Sequence, residues 1–287
     1  MRRSGWKRTT SALLGTLAVA VVAPASAAAQ GPPPDLTLFG AGSLRAAMTE
    51  VTRAFTERDG TTVRVVFGPS GSMRERIEAG ERADVFTSAN LGHPRTLVAK
   101  GFAREAVLFA RNRLCAYARP SVGLTAENVL DRALDPAVRL GTSTPGNDPS
   151  GDYAWELFRK AEALRPGSYD ALAAKALQLV GGGPNAVPIP EGRSSVAYLF
   201  ETDRADMFLA YCTGAAPAAA EFPGSVVVEL PETLAVGADY GLTVLKGAPV
   251  EAYRLALFIL SADGQAILAR YGFGAPTRPA EGAEPEG

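Results

Sequence analysis

Two stretches decide the fold of this chain: FGAGSL at residues 39–44 and FGPSGSM at residues 67–73. Each follows an apolar run that predicts a β-strand, and each opens an amphipathic helix with a serine at the turn. A helix N-terminus presents unpaired backbone N–H groups and the positive end of the helix dipole. Two such ends facing one cleft form a site for an anion that needs no formal positive charge.

Outward from these two loops, predicted strands and helices alternate, which is typical of an α/β protein. Apolar or β-branched runs predict strands at residues 36–39, 62–67, 85–87, 107–109, 114–118, 137–141, 206–211, 225–230 and 240–244. Apolar residues at helical spacing predict helices at residues 43–57, 72–79, 153–163, 169–180, 194–202 and 251–271. A proline-rich connector occupies residues 184–190.

Both ends of the chain differ in composition from the middle. Basic residues precede an apolar stretch at residues 12–23, and small residues follow at 25–27, so we expect residues 1–29 to be a cleaved secretory signal. That stretch is too short for a stable membrane span. Residues 275–287 are rich in Pro, Ala and Glu without periodicity, which predicts a disordered tail.

Size and charge limit the classes of function. The mature part, about 255 residues, is long enough for one large domain or two small ones that share a cleft. With 29 basic and 30 acidic residues the net charge is −1, and no nucleic-acid motif is present. Nucleic acid is therefore not an expected partner.

Cysteine and histidine are scarce. Cys115 and Cys212 are the two cysteines of an exported chain, and either a disulfide or two small buried thiols fits them. With the single histidine, His93, they make a poor metal-ligand set, so we expect no bound cation and no cofactor. His93 lies in a predicted surface loop, and no Gly-x-Ser-x-Gly motif is evident. We expect no catalytic residues and a protein that is not an enzyme.

The order and spacing of several motifs resemble the periplasmic molybdate-binding proteins of ABC importers, within the type II solute-binding fold. The motifs are TLFGAGSL at residues 37–44, FGPSGS at 67–72, IEAG at 77–80, ADVFTSAN at 83–90, PSGDYA at 149–154, Ala205-Asp206 before Tyr211, and YGF at 271–273. The resemblance covers residues 36–273, and it is that of a divergent member because an arginine occupies one expected contact position, Arg193.

The resemblance implies a two-lobed α/β architecture, each lobe a mixed sheet flanked by helices, with crossing strands between the lobes. Mapped onto this chain, residues 35–112 plus 233–287 would form lobe one and residues 113–232 lobe two. The lobes of such proteins close on the ligand like a clamp.

The resemblance also implies a ligand set. Ser43 and Ser70 would contact the ligand from lobe one, Ser150 and Tyr211 from lobe two, and the last contact falls at Arg193 and Ser194. Each residue has a plainer alternative, as follows: Ser43 and Ser70 as helix caps, Asp148 as the cap of the helix that Ser150 begins, Tyr211 as a core tyrosine, and Arg193 as a surface residue or a partner of Glu191 or Asp152.

The function implied is that of an exported, periplasmic solute-binding protein. It would capture a small oxyanion, molybdate or tungstate first, in the cleft between the lobes. It would then deliver the anion, as a monomer, to an ABC permease in the inner membrane. The alternatives are the same fold binding sulfate, phosphate or an organic acid, and an exported serine hydrolase, which the single histidine disfavours.

Overall fold

Strands and helices alternate through most of the computed structural model, which describes residues 36–276. The strands are β1 Leu36–Ala41, β2 Val63–Gly68, β3 Val85–Ser88, β4 Val107–Ala118, β5 Leu140–Ser143, β6 Leu177–Val180, β7 Met207–Tyr211, β8 Val226–Glu229 and β9 Gly237–Val244. The helices are α1 Arg45–Asp59, α2 Ser70–Glu78, α3 Gly92–Ala99, α4 Val129–Leu134, α5 Pro149–Leu164, α6 Ser168–Lys175, α7 Ser195–Glu201, α8 Ala215–Glu221, α9 Val250–Leu260 and α10 Ala262–Arg270. The predicted signal at residues 1–29 and most of the predicted tail lie outside the described residues.

The strands follow the order β2-β1-β3-β9-β4-β7-β5-β6, with β8 paired to β4. The strand β4 joins the two halves of this arrangement because it changes partners along its length. Its first part, up to Arg113, pairs antiparallel with β9, and its last part, from Leu114, pairs with β7 and β8. The result is a two-lobed α/β fold in which each half carries its own mixed sheet and helices.

The carboxyl ends of β1, β2 and β3 meet at one edge of the first half. Both β2 and β3 run parallel to β1, so the three strands end on the same side. The loops that follow β1 and β2 begin the helices α1 and α2 there. In open parallel sheets this edge is where ligands bind, and both serine loops of the sequence lie on it.

Each half has its own apolar core. Strand β1 is buried at every position, which explains why its sequence is a continuous apolar run rather than an alternating one. The first core joins it to α1 and α9 through residues such as Leu38, Met48, Val51, Phe55 and Leu255. The second core joins β4, β5 and β7 to α5 through residues such as Leu114, Leu140, Leu157, Phe158 and Leu209.

Three predicted elements differ from the structure. The helix expected at residues 169–180 is α6 followed by β6, because the last four residues pair with β5 and that pairing outweighs helical propensity. The single helix expected at 251–271 is two, α9 and α10, separated by Ser261. The two strands expected at 107–109 and 114–118 are one continuous strand, β4.

Three helices were not predicted, namely α3, α4 and α8. One of them corrects the position of His93, which was expected on a surface loop. It lies at the second position of α3 and is 7% exposed. Its helix packs a short apolar face, with Pro94 and Leu97, against the sheet.

Cys115 and Cys212 form a disulfide, so that alternative is confirmed. The bond ties the middle of β4 to the short 3-10 turn directly after β7. Within residues 36–276, no single helix has the length and apolar composition needed to cross a membrane. Helices α9 and α10 have that length and composition only when they are counted as one segment, and the two helices are bent by 60° relative to each other.

Candidate functional site

Ser43 and Ser70 turn their hydroxyls away from the helices that they precede or begin. Neither serine occupies an N-cap position, because the caps of these helices are Ala41, Leu44 and Pro69. The Ser43 Oγ lies 2.9 Å from the hydroxyl of Tyr240 on β9. The Ser70 Oγ accepts a hydrogen bond of 3.1 Å from the backbone N–H of Ala89, just after β3. The capping interpretation of these two serines is therefore wrong.

Three tyrosines connect the two serines. Tyr240 is packed edge to face against Tyr211, with ring centroids 5.6 Å apart, and Tyr211 against Tyr153 at 6.2 Å. The Tyr153 hydroxyl donates to the carbonyl of Ala89 at 3.4 Å. The N–H of the same residue, Ala89, is the group that donates to Ser70. We call this set, which contains Ser43, Ser70, Ala89, Tyr153, Tyr211 and Tyr240, the hydroxyl ring. It joins residues from both halves of the fold.

Within the hydroxyl ring, the backbone of Tyr211 is held by its neighbours, whereas its side-chain hydroxyl lacks a well-formed hydrogen bond. Its backbone carbonyl accepts a 2.5 Å hydrogen bond from Tyr117, and the next residue, Cys212, is held by the disulfide. Its hydroxyl is buried and makes no hydrogen bond of normal geometry within residues 36–276, although the neighbouring Tyr240 hydroxyl acts on it and contributes to its raised pKa. A buried hydroxyl without a well-formed hydrogen bond is costly, so a ligand that pairs with it would be favoured.

The tyrosine hydroxyls are neutral donors over a wide pH range. Burial raises the pKa of Tyr153, Tyr211 and Tyr240 well above the ordinary value of 10.0. Among the described residues, no arginine or lysine is hydrogen-bonded to Ser43, Ser70 or Tyr211. The electrostatic character of the ring is that of neutral dipoles, which interact strongly in a dry site because the local dielectric constant is low.

Ser150 lies beside the ring at the start of α5, and it is buried. Its backbone N–H donates to the Asp148 Oδ1 at 3.1 Å, so the interpretation of Asp148 as the helix cap is confirmed. One residue earlier, the Asn147 carbonyl accepts a 2.8 Å hydrogen bond from the N–H of Gly71 in α2. The start of α2 thus touches the loop before α5.

This contact requires glycine at position 71. A Cβ placed there would lie 2.5 Å from the carbonyl oxygen of Gly146 and 2.8 Å from that of Asn147. Such distances are not tolerated, and the obstacle is backbone that does not yield. The contact between α2 and the α5 loop therefore depends on the absence of a side chain.

Arg193 and Ser194 have partners outside the hydroxyl ring. The Arg193 guanidinium pairs with Glu221 at 2.7 Å and with Glu201 at 2.6 Å, so the expected partners, Glu191 or Asp152, are wrong. The Ser194 hydroxyl caps α7 by accepting from the Ala197 N–H at 3.3 Å, and its own N–H donates to Glu221. No described contact joins either residue to Ser43, Ser70, Ser150 or Tyr211.

The chain is similar to known proteins over most of its length. Residues 36–274 match the family model of the bacterial extracellular solute-binding proteins. The chain belongs to that family.

Two relatives of known sequence illustrate its range. An uncharacterized protein of Pasteurella multocida is 37% identical over 241 residues, which is 83% of this chain and 98% of that protein. The molybdate-binding protein ModA of Escherichia coli is 27% identical over 248 residues, 83% of this chain and 88% of that protein. The resemblance to molybdate-binding proteins is thus confirmed.

Solved structures show the same fold. The periplasmic molybdate-binding protein of Azotobacter vinelandii superposes with a TM-score of 0.68 at 20% sequence identity. The matched region covers 84% of this chain and 99% of the Azotobacter protein. The sulfate-binding protein SubI of Mycobacterium tuberculosis has a TM-score of 0.66 at 17% identity and covers 87% and 88%. At such identities the likeness shows the fold alone.

Three residues of this solute-binding protein were not recognised in the sequence as part of the site. Tyr240 was predicted only as the start of a strand and Tyr153 only as the start of a helix, and Asn112 was not singled out. Asn112, on β4, donates to the Tyr240 hydroxyl at 3.2 Å and to Thr213 at 3.0 Å. The sequence signal for Tyr240 was weak. A tyrosine beside a glycine, here Gly241, at the start of a predicted strand indicates a close approach of two backbones only when the neighbouring strands are known.

Within residues 36–276, no serine or cysteine side chain is hydrogen-bonded to the imidazole ring of His93. Its Nδ1 lies 3.4 Å from the Arg74 guanidinium, and burial lowers its pKa to about 4. No described residue pairs with its Nε2. The part of the chain between residues 36 and 276 also contains no group of three or more His, Cys, Asp or Glu side chains able to hold a metal ion.

Proposed function

We propose that this solute-binding protein captures a small tetrahedral oxyanion, molybdate or tungstate first, and delivers it to an ABC permease. One observation carries the proposal: Ser43, Ser70 and Tyr211 come from distant parts of the chain and belong to one connected series of neutral groups, the hydroxyl ring. The names of the relatives support molybdate, since the ModA protein of Escherichia coli aligns with most of this chain.

The proposed ligand set is Ser43, Ser70, Ser150 and Tyr211, in which Ser150 would act through its hydroxyl because its N–H is already bonded to Asp148. Hydroxyl groups both accept and donate, so Ser70 can keep the Ala89 contact and still give its proton to an anion. We place Arg193 and Ser194 outside the set. To reach an anion, Arg193 would have to leave two carboxylates, and the Ser194 hydroxyl would have to leave the N–H that it caps.

Selectivity in such a site follows from size and donor count. An anion that is too small leaves buried donors unpaired, and each unpaired donor costs about 1–3 kcal/mol. The contact between Gly71 and Asn147 belongs to the closed arrangement, in which the anion is sealed from water. The permease would recognise that closed shape, whose population the ligand raises by binding it more tightly than the open one.

The remaining expectations complete the proposal. Residues 1–29 would direct export to the periplasm, where the protein acts as a monomer, without a cofactor and without catalysis. The lobes would be residues 35–112 plus 233–287 and residues 113–232. The change of partners in β4 between Arg113 and Leu114 supports the first of these boundaries.

Calorimetry and thermal-shift screening test the proposal. The purified protein is titrated with molybdate, tungstate, sulfate, phosphate and small carboxylates, with sodium chloride at equal ionic strength as control. A ligand at 100 times its Kd stabilises the folded state by about 2.7 kcal/mol, so the expected result is a clear rise in Tm with molybdate or tungstate.

Two other outcomes would redirect the assignment. A response to sulfate, phosphate or a carboxylate alone would keep the binding function and change the ligand. Turnover of generic ester or phosphate-ester substrates that is lost in His93→Gln would instead identify a hydrolase and overturn the proposal.

A further inference from the structure

Asp148 places a carboxylate in the wall of the proposed site. It caps α5 through the Ser150 N–H, and the nearby Ser143 side chain favours its charged form. Its chain neighbour Asn147 contacts Gly71 at the start of α2. Asp148 therefore lies at the junction of two helix N-termini that the proposed function assigns to an anion.

No cation compensates this carboxylate. Among the described residues, no arginine or lysine forms an ion pair with Asp148. The charged group that acts on it is another carboxylate, Asp152, on its own helix, while Ser143 of β5 and Tyr211 of β7 face it from other elements. After β6, Gly181 presents no side chain: a Cβ added there would lie 2.8 Å from the Asp148 Cβ.

This environment disfavours the ionised form of Asp148. Loss of water around the carboxyl group raises its pKa above the ordinary value of 3.8, and Asp152 adds to the rise. The hydrogen bonds from Ser150 and Ser143 oppose it. Asp148 in turn contributes to the raised pKa of Tyr211, so its charge is felt at the hydroxyl ring.

A doubly charged anion at this place would face a half-buried carboxylate that no arginine or lysine among the described residues compensates. Two anionic groups that share such a site hold a proton between them, because like charges cannot both be ionised at low cost. We propose that Asp148 takes up one proton when a doubly charged oxyanion binds, and that the resulting carboxylic acid donates a hydrogen bond to the anion. This inference rests on the proposed function.

The number of protons taken up on binding determines which anions the site favours at a given pH. A proton from the buffer adds to one carboxylate oxygen of Asp148, and no other bond forms or breaks. A fully deprotonated anion such as molybdate or sulfate therefore binds with proton uptake, and its affinity falls as the pH rises. An anion that already carries a proton can supply it and needs no uptake.

Other groups of the site do not titrate in the same range. The pKa values of Tyr153, Tyr211 and Tyr240 lie well above 10, and that of His93 is about 4. Asp152 has a raised pKa, but Arg159 lowers it, so it carries a counter-charge that Asp148 lacks. Asp152 is accordingly the matched control.

The test compares the wild type with Asp148→Asn and Asp152→Asn. Asparagine is as good a helix cap as aspartate, so Asp148→Asn keeps the bond to Ser150 and removes only the charge. Molybdate and sulfate are titrated by calorimetry between pH 6 and pH 9, in pairs of buffers with different ionisation enthalpies. The difference in heat between two buffers at one pH gives the number of protons taken up.

In the wild type, we expect uptake approaching one proton and an affinity that falls about tenfold per pH unit toward pH 9. In Asp148→Asn, we expect no uptake, a flat pH profile and at least tenfold tighter binding at pH 9. Asp152→Asn is expected to keep the wild-type slope. A purely structural cap would change none of these readouts in the asparagine variant.

The outcomes separate the inference from the proposed function. Binding by the wild type without proton uptake overturns the inference and leaves the proposed function standing, and this measurement needs no variant to fold. A slope that persists in Asp148→Asn, or that vanishes in Asp152→Asn, also overturns it. Failure of every anion to bind to the wild type overturns the proposed function itself.

Discussion

Two pairs of serines stand at helix starts in this protein, and they do opposite things. Ser194 and Ser261 cap their own helices, each accepting a backbone N–H at 3.3 Å. Ser43 and Ser70 instead direct their hydroxyls to Tyr240 and to the N–H of Ala89. A serine that caps its helix stabilises the fold, whereas one that leaves the helix uncapped keeps N–H groups and a hydroxyl for another partner.

The surroundings of the two pairs differ in the same way. Beside Ser194, Arg193 is balanced by Glu201 and Glu221 at the surface, where charges are screened. Ser43 bonds to the buried Tyr240 and Ser70 to the Ala89 N–H, and within residues 36–276 no arginine or lysine is hydrogen-bonded to either serine. The difference teaches that an arginine at a motif position does not by itself define a charged site, because local carboxylates can neutralise it first.

The largest effect is expected when the two serines that do not cap their helices, Ser43 and Ser70, are replaced. Replacing both Ser43 and Ser70 by alanine removes two hydrogen bonds to a charged ligand, each worth about 1.5–3 kcal/mol. The affinity for the anion should therefore fall at least about 100-fold, measured by calorimetry. The double variant Ser194→Ala/Ser261→Ala is the control and should bind within twofold of the wild type; the reverse pattern would contradict the comparison.

The next effect concerns the support of Tyr211 beside the cleft. Replacing Cys115 and Cys212 by serine removes a cross-link between residues 97 apart in the sequence. A loop of that length predicts a loss of about 2–5 kcal/mol in the free energy of unfolding, measured by urea denaturation. Wild-type protein under reducing conditions is the control, and it should unfold like the variant. A loss under about 1 kcal/mol would show that the disulfide is not needed to hold this strand end.

A smaller effect sharpens the capping side of the comparison. Ser194→Ala should lower the free energy of unfolding by about 1 kcal/mol, because the Ala197 N–H loses its acceptor. Ser194→Asn restores an acceptor and should unfold within a few tenths of a kcal/mol of the wild type. Equal stability of the alanine and wild-type proteins in urea would mean that the cap contributes nothing.

The smallest effect is expected at Arg193. In Arg193→Gln the two ion pairs at the surface are lost, and the affinity for the anion should stay within twofold of the wild type. Calorimetry at low and at moderate salt checks this, since a direct ion pair with the ligand would weaken with salt. A tenfold loss of affinity would place the guanidinium at the anion and restore the charged-site interpretation.

Local sequence was sufficient where the signal was local. The alternation of strands and helices, the edge at which Ser43 and Ser70 lie and the strand that ends at Tyr211 all follow from apolar periodicity and turn residues. The family resemblance added the two-lobed fold. Periodicity failed at residues 177–180, where a short apolar run became β6 only because β5 was there to pair with it.

Contacts between distant segments were not predictable in the same way. Tyr240 reaches Ser43 across 197 residues of sequence, and Tyr117 reaches the Tyr211 carbonyl across 94. The partners of Arg193 came from α7 and α8, whereas the alternatives considered from the sequence were Glu191 and Asp152. Which of several compatible partners is chosen depends on how whole elements pack.

The sequence by itself determined the kind of protein: the alternation of strands and helices, the two glycine-relieved serine loops and the family to which they belong. Only the tertiary structure decided which serine caps its helix and which bonds elsewhere, which cysteine alternative holds, and that Asp148 has no arginine or lysine partner among the described residues. The reason is physical. Propensity and periodicity act within a few residues, whereas hydrogen-bond partners, burial and electrostatics are fixed by segments that meet only after folding.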